Sequence, residues 1–440
     1  MGLNWSYKLV RILLVAMIGL SIFLSSLIWA QSSRTSVGNY TDNVTATIKA
    51  FDPREVFVPV RLVRHLPDDE LLYTNRESIM QKATEELSKL DYDLLKQEPI
   101  NGIEDYQAFL SRKGTIELMF SDKLLLHYFL SVFDFKLAAD NTIMFNRLIL
   151  DYQHQRVSFL NDEDSSIWTT SYKGSLAGFR DLILDEHTDY FEVESKNNYN
   201  DRVFYNITSD IKLKKYSYIL ETQAYSVFSN LLFDPGQDVI PSDDASKNLY
   251  FSTSNGQSLA IENQTGVIKF EDPKETVADD KIDKPTEGVY DRTFHYLNKL
   301  GKVIGTVHYF ETNDTQVVYR QYVEGYPIFS DFDRGRVIIT ENTQHTVMQM
   351  NQNAIQVPIP LDEEVDVPKP SEVIEQLQLA GVNFEWISGM QIGYTWLNEQ
   401  AQDKQIVNLT PEWYIKYKGA WETVETVIQL GEKEEIINGF

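Results

Sequence analysis

Residues 12–30 read Ile-Leu-Leu-Val-Ala-Met-Ile-Gly-Leu-Ser-Ile-Phe-Leu-Ser-Ser-Leu-Ile-Trp-Ala, a run with no charge and no proline. At about 1.5 Å rise per residue, a helix of this length approaches the roughly 30 Å hydrocarbon core of a bilayer. Lipid offers no partner to free backbone N–H and C=O groups, so one such segment can cross only as a helix. Lys8 and Arg11 precede the run and the next charge is Arg34, which favours a cytoplasmic amino terminus. The expectation is a short tail (1–11), an uncleaved transmembrane signal anchor (12–30) and a stalk (31–43), with the bulk of the chain extracytoplasmic at the cell membrane. A cleaved signal peptide is the rival reading, with Ala30-Gln31-Ser32 imitating its cleavage site. The apolar run is long for a secretory h-region of about 7–15 residues. The chain has no cysteine, which excludes an anchor through a lipid-modified cysteine.

The remaining sequence has the composition of folded protein, 42% apolar and 12% aromatic with 24% charged. Its length suits two or three domains. An exported chain of this size without cysteine is stabilised without disulfides, a habit of Gram-positive exported proteins. With Lys8 and Arg11 assigned to the inside, 38 basic side chains face 65 acidic ones beyond the anchor. Such a surface repels phosphate polymers and argues against nucleic-acid binding.

Along the chain, residues 51–63 (Phe-Asp-Pro-Arg-Glu-Val-Phe-Val-Pro-Val-Arg-Leu-Val) read as extended, their prolines confining them to an edge or an isolated segment. Thr74 and Glu77 have capping-box spacing ahead of a helix with Ile79, Ala83, Leu87, Leu90 and Leu94 on one face. A short helix is expected at 104–110, a strand at 115–120, a helix capped by Ser121 running to 132, and a hairpin from 145–152 and 156–160. Residues 225–233 read as a helix. Residues 250–254 and 257–261 read as a hairpin on a type I′ turn at Asn255-Gly256. The acidic stretch 271–287 reads as a linker. Beyond it come helices at 289–300 and after Ser371, with Gly381 closing the second. Strands follow at 303–310, 317–323, 335–340, 346–350, 384–397, 406–417 and 421–428. The fold class is α+β. A mixed helix/sheet domain spans 44–190, a central β-rich domain 191–285 and a C-terminal β-rich domain 286–440, the last two similar in architecture.

Catalytic patterns are wanting. There is no nucleophilic cysteine, no His pair at zinc-binding helical spacing, no Gly-x-Ser-x-Gly elbow and no Walker loop. Ser209-Asp-Ile-Lys212 matches Ser-x-x-Lys but lacks a following Lys-Thr-Gly, and reads as a solvated strand edge. The acidic runs Asp68-Asp69-Glu70, Asp162-Glu163-Asp164, Asp279-Asp280 and Asp362-Glu363-Glu364 read as solvated loops rather than a glycosidase pair. None has a calcium-loop pattern. Trp386, Trp396, Trp413 and Trp421 read as core aromatics. No catalytic, cofactor or metal site is expected. The anchor carries the one patterned face: Ala16, Gly19, Phe23, Ser26 and Ala30 recur at helical spacing, four of them small. A groove of that kind lets a second transmembrane helix approach closely, although small residues also occur in plain lipid-facing tethers.

Several segments taken in order resemble the YycH family: the single anchor, Phe51-Asp-Pro-Arg-Glu-Val-Phe-Val-Pro59, Arg147-Leu-Ile-Leu-Asp-Tyr152, Tyr319-Arg-Gln-Tyr-Val-Glu-Gly-Tyr-Pro-Ile-Phe-Ser330 and Leu409-Thr-Pro-Glu-Trp-Tyr414. The resemblance implies three extracytoplasmic domains and a regulatory role without catalysis. It implies association through the transmembrane helix with the cell-wall-sensing histidine kinase WalK of the WalK/WalR (YycG/YycF) two-component system, and with the sister protein YycI. The consequence would be control of kinase activity and of cell-wall metabolism genes, its sign left open. Two other classes stand beside it: a wall-bound hydrolase using paired carboxylates, and an exported inhibitory or ligand-binding module. A homodimer is also left open.

Overall fold

The computed structural model describes residues 14, 17–19, 21, 49–185, 188–199, 202–243, 248–274, 288–313, 315–359, 361–397 and 406–438. The chain divides into two units, Met1–Thr47 and Ile48–Phe440. In the first, residues 14, 17–19 and 21 are helical, and Leu14, Met17 and Ile18 are exposed. Among the described residues no helix is long and apolar enough to cross a membrane. Most of the 12–30 run lies outside them, as do the whole stalk 31–43 and residues 275–287 of the linker stretch.

The second unit is mixed α/β and rich in strands. Its first sheet, among the described residues, has ten strands and is antiparallel. From one edge the order is Arg202–Ile207, Phe191–Tyr199, Leu71–Thr74, Arg61–His65, Thr115–Leu125, Met144–Asp151, Arg156–Asn161, Ser166–Lys173 and Asp91–Tyr92, with Lys96–Gln97 also on Ser166–Lys173. The strands from 191 to 207 thus belong to the sheet built by the amino-terminal half. A second, fourteen-stranded sheet interleaves later segments. Tyr216–Thr222 lies between Ile406–Tyr417 and Asn353–Ile359, and Val267–Pro273 pairs with His345–Asn351. Its two halves meet where Tyr326–Phe329 runs parallel to Ile387–Leu397. At that junction Gly393 is small because a Cβ there would lie 2.5 Å from the Phe329 ring and 2.9 Å from the Pro327 carbonyl.

The segment after residue 50 is not an edge. Asp52 accepts a hydrogen bond from the Arg54 N–H and Pro53 occupies the first turn, so Pro53–Val56 is helical. Arg61–His65 then enters the middle of the first sheet, between Leu71–Thr74 and Thr115–Leu125. Between them Phe57 is fully buried among the rings of Tyr128, Tyr290, Phe294, Tyr309 and Tyr319, at centroid distances of 4.9 to 6.2 Å. This wedge joins the amino-terminal region to the second sheet in one continuous apolar core.

Other local expectations shift for identifiable reasons. The helix Glu77–Ser88 buries Ile79, Ala83 and Leu87, but Thr74 ends a strand and its hydroxyl accepts only from the Arg76 N–H ahead of the helix, while Leu94 lies past the helix at 81% exposure. Ser121 is strand, its hydroxyl bonded to that of Tyr322, and the helix begins only at Leu126. Ser371 is the second residue of its helix, Pro370–Leu379, which is preceded by Lys369. The last strand stops at Thr423, whose hydroxyl accepts from the Thr426 N–H and opens the helix Val424–Asn438. At Asn255-Gly256 only Gly256 has positive φ. The Gly256 N–H reaches the Thr253 carbonyl and the Thr253 N–H the Gln257 carbonyl, a longer loop than type I′. Two-residue turns with both φ positive occur instead at Glu324-Gly325 and Lys418-Gly419.

Candidate functional site

Of the anchor face singled out in the sequence, only Gly19 is described. It is helical, and a Cβ there would meet nothing within 4 Å. Ala16, Phe23, Ser26 and Ala30 lie outside the described residues. The remaining candidates scatter. Ser209 is exposed, and Lys212 is exposed and pairs with Asp366 at 3.7 Å. Asp69 pairs with Lys113, Glu163 with Lys123 and Glu363 with Lys215, while Asp279-Asp280 lies outside the described residues. Trp396 and Trp413 are buried, but Trp386 is 38% exposed and lies under the Lys418 ammonium, 3.6 Å from its ring centre. Among the described residues no cluster of His, Asp or Glu is arranged to hold a metal ion.

A different site emerges from the first sheet. Along Thr115–Leu125, Ile116, Leu118 and Phe120 face the main core, so Glu117 faces the other way. On the neighbouring strand Leu148 and Leu150 join that core, which puts Arg147 on the same side as Glu117. Both are buried, at 0% and 2% exposure. The Arg147 guanidinium donates from Nη1 to Glu117 at 2.5 Å and from Nε to both carboxylate oxygens of Asp162 at 2.8 Å. Asp162 also accepts from the Tyr106 hydroxyl at 2.7 Å and the Asn146 amide at 2.9 Å. Tyr205 donates to Glu117, and His65 Nε2 lies 3.3 Å from the same oxygen. Tyr205 sits on an edge strand four places from the strand of Glu117, so the sheet curls until its edge closes over the network. Asp162, read from the sequence as part of a solvated loop, is instead a largely covered partner of Arg147, its side chain 12% exposed. No charge-run pattern reveals it, because its partner lies on another strand.

The charge states follow from the surroundings. Burial alone would raise the Glu117 pKa, but the Arg147 charge, with the hydrogen bonds from His65 and Tyr205, brings it down to about 2. Burial works against the Arg147 charge too, and Asp162 and Glu117 overcome it, holding the guanidinium protonated. Burial, with Glu117 beside it, keeps the Tyr205 hydroxyl neutral. At neutral pH Glu117 is thus ionised, Arg147 protonated and Tyr205 neutral.

Asn146, Arg147, Asp162 and Tyr205 of this network form part of one wall of a cleft of about 350 Å³ between the sheets. Glu311, Tyr326, Trp413, Lys416 and Trp421 of the second sheet face Arg61, Tyr73, Asp122, Lys123, Arg147 and Tyr205 of the first. A bulge creates the docking. Between Met119 and Leu124 the strand loses its register with Met144–Asp151, which frees the polar groups of residues 121–123 for the other sheet. Asp122 accepts from the Thr312 N–H at 3.0 Å, the Lys123 carbonyl accepts from the hydroxyls of Tyr290 and Tyr309, and Ser121 meets Tyr322. Arg61 reaches Gln391 at 3.1 Å. Burial raises the Asp122 pKa. Glu311 accepts from Lys416 at 2.9 Å and from the Trp421 indole at 3.1 Å. Arg147, Lys123 and Lys416 thus have carboxylate partners, while Arg61 and Asp122 bond neutral groups.

Comparison with known proteins places this architecture. The family description "YycH protein, N-terminal domain" matches residues 8–173, and "YycH protein, C-terminal domain" matches residues 201–433. The chain belongs to the YycH family. The solved structure titled "Crystal Structure of YycH from Bacillus subtilis" superposes with a TM-score of 0.68 at 13% identity, covering 86% of this chain and 98% of that one. At that identity the likeness speaks for the fold. Among curated proteins none matches.

Proposed function

We propose that this YycH-family chain is a membrane-anchored, extracytoplasmic regulator of a cell-wall-sensing histidine kinase, WalK, acting together with a YycI-like membrane protein. The observation that carries the reading is the family match, whose two parts span most of the chain. The amino-terminal match begins at residue 8 and so includes the apolar run 12–30. In this reading the run is an uncleaved anchor, and the unit Ile48–Phe440, with its two large sheets, lies outside the membrane. Association runs along the face of Ala16, Gly19, Phe23, Ser26 and Ala30, where small side chains permit close helix approach. In this reading the accessory role calls for no catalytic centre.

The test replaces Gly19 and Ser26 with leucine in the full-length protein. The expected result is loss of kinase co-purification and a changed level of kinase autophosphorylation, with the protein still in the membrane. Unchanged association and unchanged kinase output would refute the helix-face mechanism.

A further inference from the structure

A second cavity, of about 510 Å³, opens at the opposite end of the first sheet's strands from the cleft. The cleft takes the start of Arg61–His65 and the end of Thr115–Leu125. This cavity takes the other ends, at Arg64, His65, Thr115 and Ile116, and is closed by the helix Ala177–Ile183. Its inner wall is apolar and buried: Ile116, Leu150, Phe179 and Ile183. At its rim Leu184 and Tyr152 leave 55% and 46% of their surface in water. Its volume is in the range of ordinary small-molecule pockets.

The charges around it are one-sided. Arg64 and Arg180 line the cavity and no carboxylate does, in a chain with 65 acidic against 40 basic residues. Arg64 stacks on the Tyr190 ring at 5.2 Å and makes one long hydrogen bond, 3.4 Å, to the Ile183 carbonyl. Among the described residues it has no carboxylate partner. Arg180 is exposed, with Asp181 at 3.9 Å in water beside it. Asp151, next to the lining residues Leu150 and Tyr152, is turned to its own loop, accepting from the N–H groups of Gln153 and His154 and contacting the His154 ring. A planar guanidinium held by a ring and lacking an anion matches a carboxylate or similar oxyanion. Apolar walls with exposed apolar residues at the mouth match a hydrocarbon or aryl tail.

We propose that this cavity binds a small amphiphile with a single anionic head, held by Arg64 and Arg180, and an apolar tail lying against Ile116, Leu150 and Phe179. The site is separate from the anchor face and stands whether or not the kinase-regulator reading holds.

The probe is octanoate, titrated against the full-length protein in lipid nanodiscs while hydrogen–deuterium exchange is followed. Octanoate slows exchange in residues 174–184, and octylammonium at the same concentrations does not. Arg64→Gln and Arg180→Gln each raise the octanoate midpoint about 10–100-fold, the loss expected for a charge-assisted hydrogen bond, with exchange elsewhere in the fold unchanged. Ala177→Trp, at an exposed helix position, fills the mouth and abolishes the protection. Equal protection by octanoate and octylammonium, no protection by octanoate, or an unchanged midpoint in both arginine variants would overturn the proposal.

Discussion

Arg147→Met removes the charge at the centre of the buried network while keeping an unbranched side chain of useful length. Glu117 then sits at 0% exposure without its guanidinium, and Asp162 keeps only Tyr106 and Asn146. Breaking a buried pair by removing one partner costs about 3–5 kcal/mol, because the stranded charge stays buried. An independent figure comes from Glu117 itself. Its fall from 4.5 unfolded to about 2 folded corresponds to about 3 kcal/mol of stability at neutral pH.

The pH dependence carries the sharper test. In the wild type the folded pKa of Glu117 is depressed, so its contribution is fully present above pH 4.5 and drains away as pH falls toward about 2. In Arg147→Met burial dominates and raises the folded pKa above the unfolded one. That contribution is present below pH 4.5 and is lost as pH rises. The variant's deficit is therefore largest at pH 7 and shrinks toward pH 4.5. Urea unfolding followed by tryptophan fluorescence at pH 7, 6 and 5 measures it. Adding Glu117→Gln to the variant removes the buried charge and flattens the pH dependence. A deficit under about 1 kcal/mol at pH 7, or one that does not change with pH, refutes the account of Arg147 as the counter-charge of Glu117.

Three further perturbations probe the rest of the unit. Gly393→Ala drives a methyl into the Phe329 ring and the Pro327 carbonyl; it should cost about 1–3 kcal/mol by urea unfolding and speed amide exchange along Tyr326–Phe329. Asp122→Ala strands the Thr312 N–H and should cost about 1–3 kcal/mol. Asp122→Asn keeps the acceptor and, the carboxyl pKa being raised already by burial, should cost much less; equal losses in the two variants would contradict the docking role of the bulge. Phe57→Ala empties a site ringed by aromatic side chains from both sheets and should cost about 3–5 kcal/mol by calorimetry or urea unfolding.

What the sequence discloses is local, and what it hides is made by distant strands. The helices Ile103–Leu110, Tyr225–Leu232 and Val289–Leu300, and the hairpin around residue 153, are legible because their periodicity and stop residues lie within a dozen positions. Turn type is less so. Asn255-Gly256 has the favoured pair but forms a longer loop, whereas Glu324 accepts φ 49° in the tight turn before Gly325. There the Asn75 side chain donates to the Glu324 carbonyl at 3.2 Å, and the Asn75 backbone leaves no room for a Cβ on Gly325. A residue 249 positions away thus supports that hairpin, beyond the reach of any local rule. The buried network makes the same point about function. Glu117, Arg147 and Asp162 look in sequence like charges on strands and in a loop, with Glu117, between Ile116 and Leu118, and Arg147, ahead of Leu148-Ile149-Leu150, the two set in mostly apolar runs. A lone arginine amid Phe145, Leu148, Ile149 and Leu150 demands a buried counter-charge. That demand is readable from the sequence, but the identity of the partners is settled only by the register that sets Met119 opposite Arg147 and brings Glu117 alongside.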